Sequence, residues 1–424
     1  MSLRQIRGTI FRLSVIISSI PFVKTDQLRT KLFPFVMAAS SAASTSTKTL
    51  HATELYGVKL LPDQWSVVYS PQYNINAYGL QSLHLFDAEK WGRVFQRLKE
   101  AGMVTDDTVV APKEPSQEDL EFVHTKKYLN DLRWSSTVAK IVEILPVALI
   151  PNFLLQKILL RPMRYQTGGT ILAAKLAMER GWAINIGGGF HHAHGEGGGG
   201  FCVYADITLA IKLLMASDPK VKKAMIIDLD AHQGNGHERD FLGDDSVYIL
   251  DVYNGAIYPR DFKAKAAIKK RANCLHHTKD DEYLEKVKRT IEEALREFTP
   301  DIVIYNAGTD ILINDPLGKL DITAGGIIER DEITFTKVRA KNIPIVMVTS
   351  GGYTMETAKI IADSVLNLKK NSLIDLKDSS SRKIEDIYPP QWNEDSYDKD
   401  PYVIKKPKSV SEPSDKKPTP QSEL

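Results

Sequence analysis

Five short apolar runs along the middle of the chain set the strongest limit on what it can fold into. They are Trp182 to Ile186, Ala224 to Leu229, Val247 to Val252, Ile302 to Tyr305 and Ile343 to Val348, with helical stretches between most of them. Each run is continuous rather than alternating, as in a strand buried on both faces. Strands that alternate with helices pair in parallel, because each crossover returns the chain to the same edge of the sheet. The expected fold class is therefore α/β, a doubly wound, mostly parallel sheet with helices on both faces. The best-marked helix is Asp281 to Phe298, where Leu284, Val287, Ile291, Ala294, Leu295 and Phe298 share one face and Pro300 follows the end. Ser116 before Glu118 and Asp119 reads as a helix start, and Lys126 to Trp134 as a further short helix.

In sheets of this kind the functional crevice lies outside the carboxyl ends of the strands. The first run leads into GGGFHHAH, which carries His191, His192 and His194. The second leads through Asp228 into Asp230 and His232, and alternation along an extended strand would point all three side chains one way. Two acids buried together are costly unless paired, protonated or bound to a cation, and the imidazole makes a borderline ion such as zinc the natural choice. A solvated cluster at a turn edge is the bland alternative. The fourth run ends in NAGTD at Asp310, and the fifth in TSGGYT, with Tyr353 after Gly351 and Gly352. Four strand ends thus deliver polar groups to one rim, which chance scatter would not favour.

The residue types suggest a reaction. Asp230, His232 and Asp310 would give one metal three ligands and leave a position open, as a catalytic zinc site requires. His191 or His192 would serve as general base beside an attacking water, and Tyr353 would donate to the carbonyl oxygen as it becomes negative. Together these groups point to metal-assisted hydrolysis of an amide.

The termini differ from this middle. Residues 1–53 carry Arg4, Arg7, Arg12, Lys24, Arg29, Lys31 and Lys48 against the single acid Asp26, among many serines and threonines. That is the composition of a plastid or mitochondrial transit peptide, or of a disordered extension absent from the working protein, since Met37 could itself be an initiator. The run Leu13 to Val23 is broken by serines and Pro21, and Ile144 to Leu160 by Pro146, Pro151 and Lys157. Neither suits a membrane span, and the second reads as a buried or lid-like irregular segment. Residues 389–424 are rich in Pro, Ser, Lys and Asp and read as a disordered tail. A net charge of +2 gives no argument for nucleic acid or membrane, and Cys202 and Cys274, the only cysteines, form no disulfide framework.

The motifs GGGFHH, DLDAHQGNGHE, NAGTD and SGGY, in this order, resemble the zinc-dependent histone deacetylases. VYSPQYNI, RPMRYQTGGT, HERDF, DVYN and IYP are similar to the class IV branch. The resemblance covers about Leu60 to Leu373 and frames residues 54–388 as a deacetylase catalytic domain. It implies the arginase/deacetylase fold and a narrow tunnel that admits an acylated lysine of a histone or another protein to one zinc ion. It further implies chromatin regulation, corepressor partners, a nuclear or cytoplasmic location, and a structural potassium near the Asp228 strand. Asp230, His232 and Asp310 match the family's zinc ligands, Tyr353 its transition-state tyrosine, and His191 and His192 its tandem histidines, the second doing the main acid/base work. Asp228 matches the acid partnering the first histidine. Asn235 stands where many relatives have an acid partnering the second, so His192 is expected to be the weaker base. Phe201 matches an aromatic tunnel wall, Gly200 adjoins it, and Gly351 and Gly352 match the turn before the tyrosine.

Bland readings accompany these. His194 reads as a loop histidine and Cys202 as small-residue packing. Two further functions stand beside the hydrolase: a binuclear arginase-type site, and a non-catalytic scaffold for acyl-lysine or corepressor proteins. The first needs extra carboxylates two residues from the ligands, where Gly234 and Leu312 stand instead.

Overall fold

The computed structural model describes residues 53–75 and 89–376. The N-terminal extension as far as residue 52 and the tail from 389 lie outside the described residues. A seven-stranded sheet forms the middle layer: β1 Val67–Val68, β2 Trp182–Asn185, β3 Ala224–Asp228, β4 Val247–Asn254, β5 Ile268–Cys274, β6 Ile302–Asn306 and β7 Ile345–Val348. Its order is β1-β2-β7-β6-β3-β4-β5, and every pair is parallel. All strands therefore end at the same edge. After β2 the chain skips two places to β3, runs outward through β4 and β5, and returns to fill the gap with β6 and β7.

The helices are α1 Lys90–Glu100, α2 Gln117–Glu121, α3 Lys126–Asp131, α4 Ser135–Ile141, α5 Asn152–Leu155, α6 Arg161–Arg180, α7 Asp206–Ser217, α8 Asn235–Asp240, α9 Asp280–Glu297, α10 Ala324–Arg339 and α11 Thr357–Lys370. They divide between the two faces of the sheet as alternation along a strand requires. Met225 and Ile227 of β3 share one core with Trp91 of α1, Val287 of α9, Phe335 of α10 and Ile361 of α11. Ala224 and Ile226 share the other with Leu172 of α6 and Ile207 of α7. Both faces are covered, which is why the strands read as continuous apolar runs.

Local signals hold where they are strong. Ser116 closes a capping box with Asp119 at the start of α2, an arrangement worth about 1 kcal/mol. The expected helix from Lys126 ends at Asp131, three residues early. Strand β5 gives no apolar signal: in IKKRANC the polar and charged residues alternate outward on an edge strand. Ile144 to Leu160 is a chain of short helical turns, with Val147, Leu155 and Leu160 buried and Leu145, Leu149 and Phe153 exposed. Among the described residues, no helix is long and apolar enough to cross a membrane.

Candidate active site

β2 runs out at Asn185 into three glycines. Gly188 and Gly189 have φ of +70° and +77°. A Cβ on Gly188 would stand 2.3 Å from Thr170 Oγ1 and 2.5 Å from Asp206 Oδ2, so glycine alone fits. The Asp206 carboxylate, at the start of α7, accepts from the backbone N–H of Gly189 and of Phe190, each at 2.8 Å. This clasp sets the turn that presents His191 and His192 to the ends of β3 and β6.

The two imidazoles lie 4.1 Å apart between centroids, yet their surroundings differ. His191 Nδ1 donates to Asp228 Oδ2 at 3.0 Å, and the same carboxylate accepts from His237 Nε2 at 2.8 Å and Asn306 Nδ2 at 2.9 Å. Burial lowers the His191 pKa, but Asp228 and then Asp230 overcome it and lift the group to about 9. His192 Nδ1 faces Asn235 Oδ1 at 2.8 Å. Burial, reinforced by the positive charges of His191 and His232, drives its pKa well below the ordinary value, and the Asn235 bond only partly opposes this. Asn235 Nδ2 donates to Asp261 Oδ2 at 3.4 Å. A carboxylate only accepts, so the amide nitrogen must face Asp261 and the amide oxygen must face His192. His192 therefore carries its proton on Nδ1 and keeps a lone pair on Nε2.

Asp230, His232 and Asp310 each offer a ligand atom, all within 4.8 Å of one another and all buried. β3 stops at Asp228, so simple strand alternation does not place them. Instead the chain bends: the Asp228 carboxylate accepts from the Asp230 N–H at 3.2 Å, and the Asp230 carboxylate from the His232 N–H at 3.0 Å. Asp228 thereby turns to His191 and His237 and stands outside the three-residue cluster. Asp310 arrives from β6, its Oδ1 accepting from Ala231 N at 2.9 Å. His232 Nδ1 lies 2.8 Å from Asp310 Oδ2 and 3.1 Å from Asp230 Oδ1. Burial opposes protonation of His232, but hydrogen bonds to Asp230 and Asp310 raise its pKa to about 10. Burial and the Asp230 charge raise Asp310 to about 7, against the pull of His232. Two acids sharing one buried imidazole suit a divalent cation by donor type. The cradle also has room only for glycine: a Cβ on Gly308 or Gly351 would stand 2.3 or 2.5 Å from Asp230 Oδ2.

Tyr353 follows the turn at the end of β7. Its N–H donates to Asp315 Oδ2 at 2.9 Å, and its ring meets Phe201 edge-on with centroids 6.0 Å apart. Burial, then the charges of Asp310 and Asp230, hold the phenol pKa well above its ordinary value, so it stays a donor. Gly200 has φ +50°, and a Cβ there would press to 2.4 Å from His192 Cδ2. His194 hydrogen-bonds within its own loop, and Cys202 is buried with its thiol pKa pushed up by desolvation.

Several residues near the site carry no sequence signal of a role. Tyr258 stands edge-on to His192 with centroids 4.9 Å apart. Arg330 of α10, fully buried, pairs with Asp331 at 2.8 Å and donates to the carbonyls of Leu229 and Gly308, bracing the ends of β3 and β6 together. Lys90 of α1 is buried beneath the turn that precedes Tyr353. Only the tertiary fold brings these side chains to the rim. The IYP motif containing Tyr258 was the nearest thing to a signal.

A buried cluster that could hold a metal ion, with paired imidazoles beside it on the carboxyl rim of a parallel sheet, marks an α/β protein with a candidate metal site. Residues 84–368 match the histone deacetylase domain family. Histone deacetylase 2 of Arabidopsis thaliana is 51% identical over 340 residues, covering 80% of this chain and 87% of that relative. An uncharacterized protein of Picosynechococcus is 30% identical over 299 residues, covering 70% of this chain and 94% of its own. The acetoin utilization protein AcuC of Bacillus subtilis is 27% identical over 274 residues, covering 60% and 68%. Among solved structures, the crystal structure of the HDA15 HD domain matches with a TM-score of 0.57 at 19% identity, covering 76% of this chain and 94% of that one, a likeness of fold. The chain belongs to the histone deacetylase family, and its parallel α/β sheet is the arginase/deacetylase fold.

Proposed function

We propose that this deacetylase-family hydrolase removes acyl groups from lysine side chains of histones or other proteins, using one zinc ion held by Asp230, His232 and Asp310. The observation that carries the reading is the buried Asp230, His232 and Asp310 cluster with the His192 ring centroid 5.9 Å from that of His232 and the Tyr353 phenol near enough to feel the charges of Asp310 and Asp230. A zinc ion there supplies Lewis acidity toward water and the amide carbonyl. His192, with its Nε2 lone pair, takes the proton of the attacking water and returns it to the departing lysine amine. Tyr353 donates to the carbonyl oxygen as charge develops on it. Asp228 holds His191 as an imidazolium beside the reacting centre, and Asn235 orients His192. Phe201, Gly200, Gly351 and Gly352 line the approach for the lysine side chain. A class IV affiliation, a structural potassium beside the Asp228 strand, corepressor partners and nuclear or cytoplasmic residence belong to the same proposal and rest on the sequence resemblance.

The test is a panel of acetyl-lysine to long-chain acyl-lysine peptides on zinc-loaded protein, with a chelated sample beside it. Turnover of at least one peptide, abolished by the chelator and restored by zinc, supports the reading. Zinc binding without turnover of any peptide supports the scaffold instead, and two zinc equivalents per chain would support the binuclear alternative. Imaging chains begun at Met1 and at Met37 tests nuclear or cytoplasmic residence against import into an organelle.

A further inference from the structure

The Ser350–Gly352 turn is gripped from two sides. On one, Asp230 Oδ2 accepts from Ser350 Oγ at 3.0 Å and from Gly351 N at 3.2 Å. On the other, the Lys90 ammonium donates to the carbonyls of Ser350, Gly351 and Gly352 at 2.5, 3.1 and 3.3 Å. Lys90 is fully buried. It is also the first residue of α1, where the helix dipole disfavours a cation. Neither solvation nor helix stability therefore explains its presence. Burial pulls its pKa down to about 7, against the attraction of Asp310, Asp230 and Asp315. Three carbonyl oxygens, and the Trp91 ring 4.2 Å from Nζ, add to that attraction in holding the charge in place. The next residue along this turn is Tyr353.

We propose that Lys90 is a positioning residue: by bonding three successive carbonyls it fixes the turn that carries Tyr353, and so fixes where the phenol stands over Asp230, His232 and Asp310. The backbone hold is a matter of geometry alone, whereas its kinetic consequence rests on the deacylase reading above. Asp230 would grip the N–H side of the turn and Lys90 the carbonyl side. Thr309 also holds the Gly351 carbonyl, through its N–H at 3.0 Å and its Oγ1 at 2.8 Å, so what Lys90 adds is the one group that joins all three carbonyls.

Hydrogen exchange on the full, zinc-loaded chain tests the hold. Lys90→Met is expected to speed exchange of the amides in 349–355 by about tenfold or more, with those of 302–306 unchanged, while Lys90→Arg stays within about threefold of the parent. Kinetics test the consequence: Lys90→Met should lower kcat about 100-fold with little change in KM, and add less than about threefold in a Tyr353→Phe background. Unchanged exchange in 349–355, or losses that multiply in the double variant, would overturn the proposal. If Lys90→Met does not fold, Lys90→Gln, an uncharged donor, is read the same way. A parent chain that hydrolyses no acyl-lysine peptide sinks the deacylase reading, and the exchange comparison still decides whether Lys90 holds the turn.

Discussion

The two halves of the histidine pair are built from opposite materials. Behind His191 lies a buried carboxylate, Asp228, saturated by His237 and Asn306 and sealed from water. Behind His192 lies a neutral amide, Asn235, tied outward to Asp261, which Arg239 holds in turn, with Tyr258 edge-on to the ring. The first setting stabilises an imidazolium and the second a neutral ring, so adjacent residues in one chain are pushed to opposite protonation states. Environments that drive two neighbouring pKa values apart separate a charge from a base. The comparison teaches that two adjacent imidazoles are told apart by what stands behind each ring.

The widest break in this comparison comes from deleting each ring in turn. His192→Ala is expected to lower kcat by about 10³-fold, the contribution of a general base. His191→Ala, which removes a charge and leaves the base, should cost about tenfold less. Both should retain zinc, since neither ring belongs to the Asp230, His232 and Asp310 cluster. Steady-state rates on one acyl-lysine peptide, with metal content measured on the same samples, check this. A larger loss from His191→Ala would reverse the assignment.

Converting one backing into the other is the next test. Asn235→Asp places a carboxylate against His192, and an opposite charge within hydrogen-bond reach raises an imidazole pKa by about one to three units. In the proposed mechanism the neutral ring is the working form, so a higher pKa means more of it is protonated at any given acid pH. The acid limb of the kcat/KM profile should therefore move to higher pH, by about one unit or more. An unmoved limb would mean that His192 does not govern it.

How much of this was legible in the sequence follows from the range of the forces involved. Asp230, His232, Asp310 and Tyr353 could be read because a parallel sheet sends every strand end to one edge, and apolar runs mark where strands end. The alternation argument, which grouped Asp228 with Asp230 and His232, does not hold: only the latter two meet, and they are joined by Asp310. β3 stops at Asp228, and carboxylate-to-backbone bonds, rather than strand pleat, turn Asp228 away from the ligand cluster. Lys90 and Arg330 stayed hidden because a lysine or arginine on a helix normally reads as solvated. Their burial depends on which backbone carbonyls the finished fold leaves beneath them. Strand β5 was invisible for a related reason, its Lys269 and Arg271 lying on the exposed side of an edge strand.

A smaller effect should come from the wall beside His192. Gly200→Ala must hold φ near +50° and press a methyl group against His192 Cδ2. A strained backbone of this kind costs about 1–3 kcal/mol. The loss should fall on kcat/KM, about tenfold, with the acid limb unmoved. A normal rate in this variant would mean that the wall yields and that His192 is not confined by it.

The finest test removes a charge that never touches the ring. Asp261 fixes which way the Asn235 amide faces, because its carboxylate accepts only from nitrogen. In Asp261→Asn the new side chain offers both a donor and an acceptor, so the Asn235 amide is free to turn over. When it does, its nitrogen faces His192, and the ring must move its proton to Nε2 and surrender the lone pair there. Only the fraction of molecules in the turned state loses the base, so kcat should fall by about twofold to fivefold with KM unchanged. Nitrogen-15 shifts of the His192 ring should report the second tautomer in the same proportion. Asp228→Asn offers the contrast: its amide would weaken the charge on His191 and leave the His192 tautomer alone. If the two variants gave the same His192 spectrum, Asp261 would have no hold on the tautomer and the asymmetry between the two backings would have to rest on Asn235 alone.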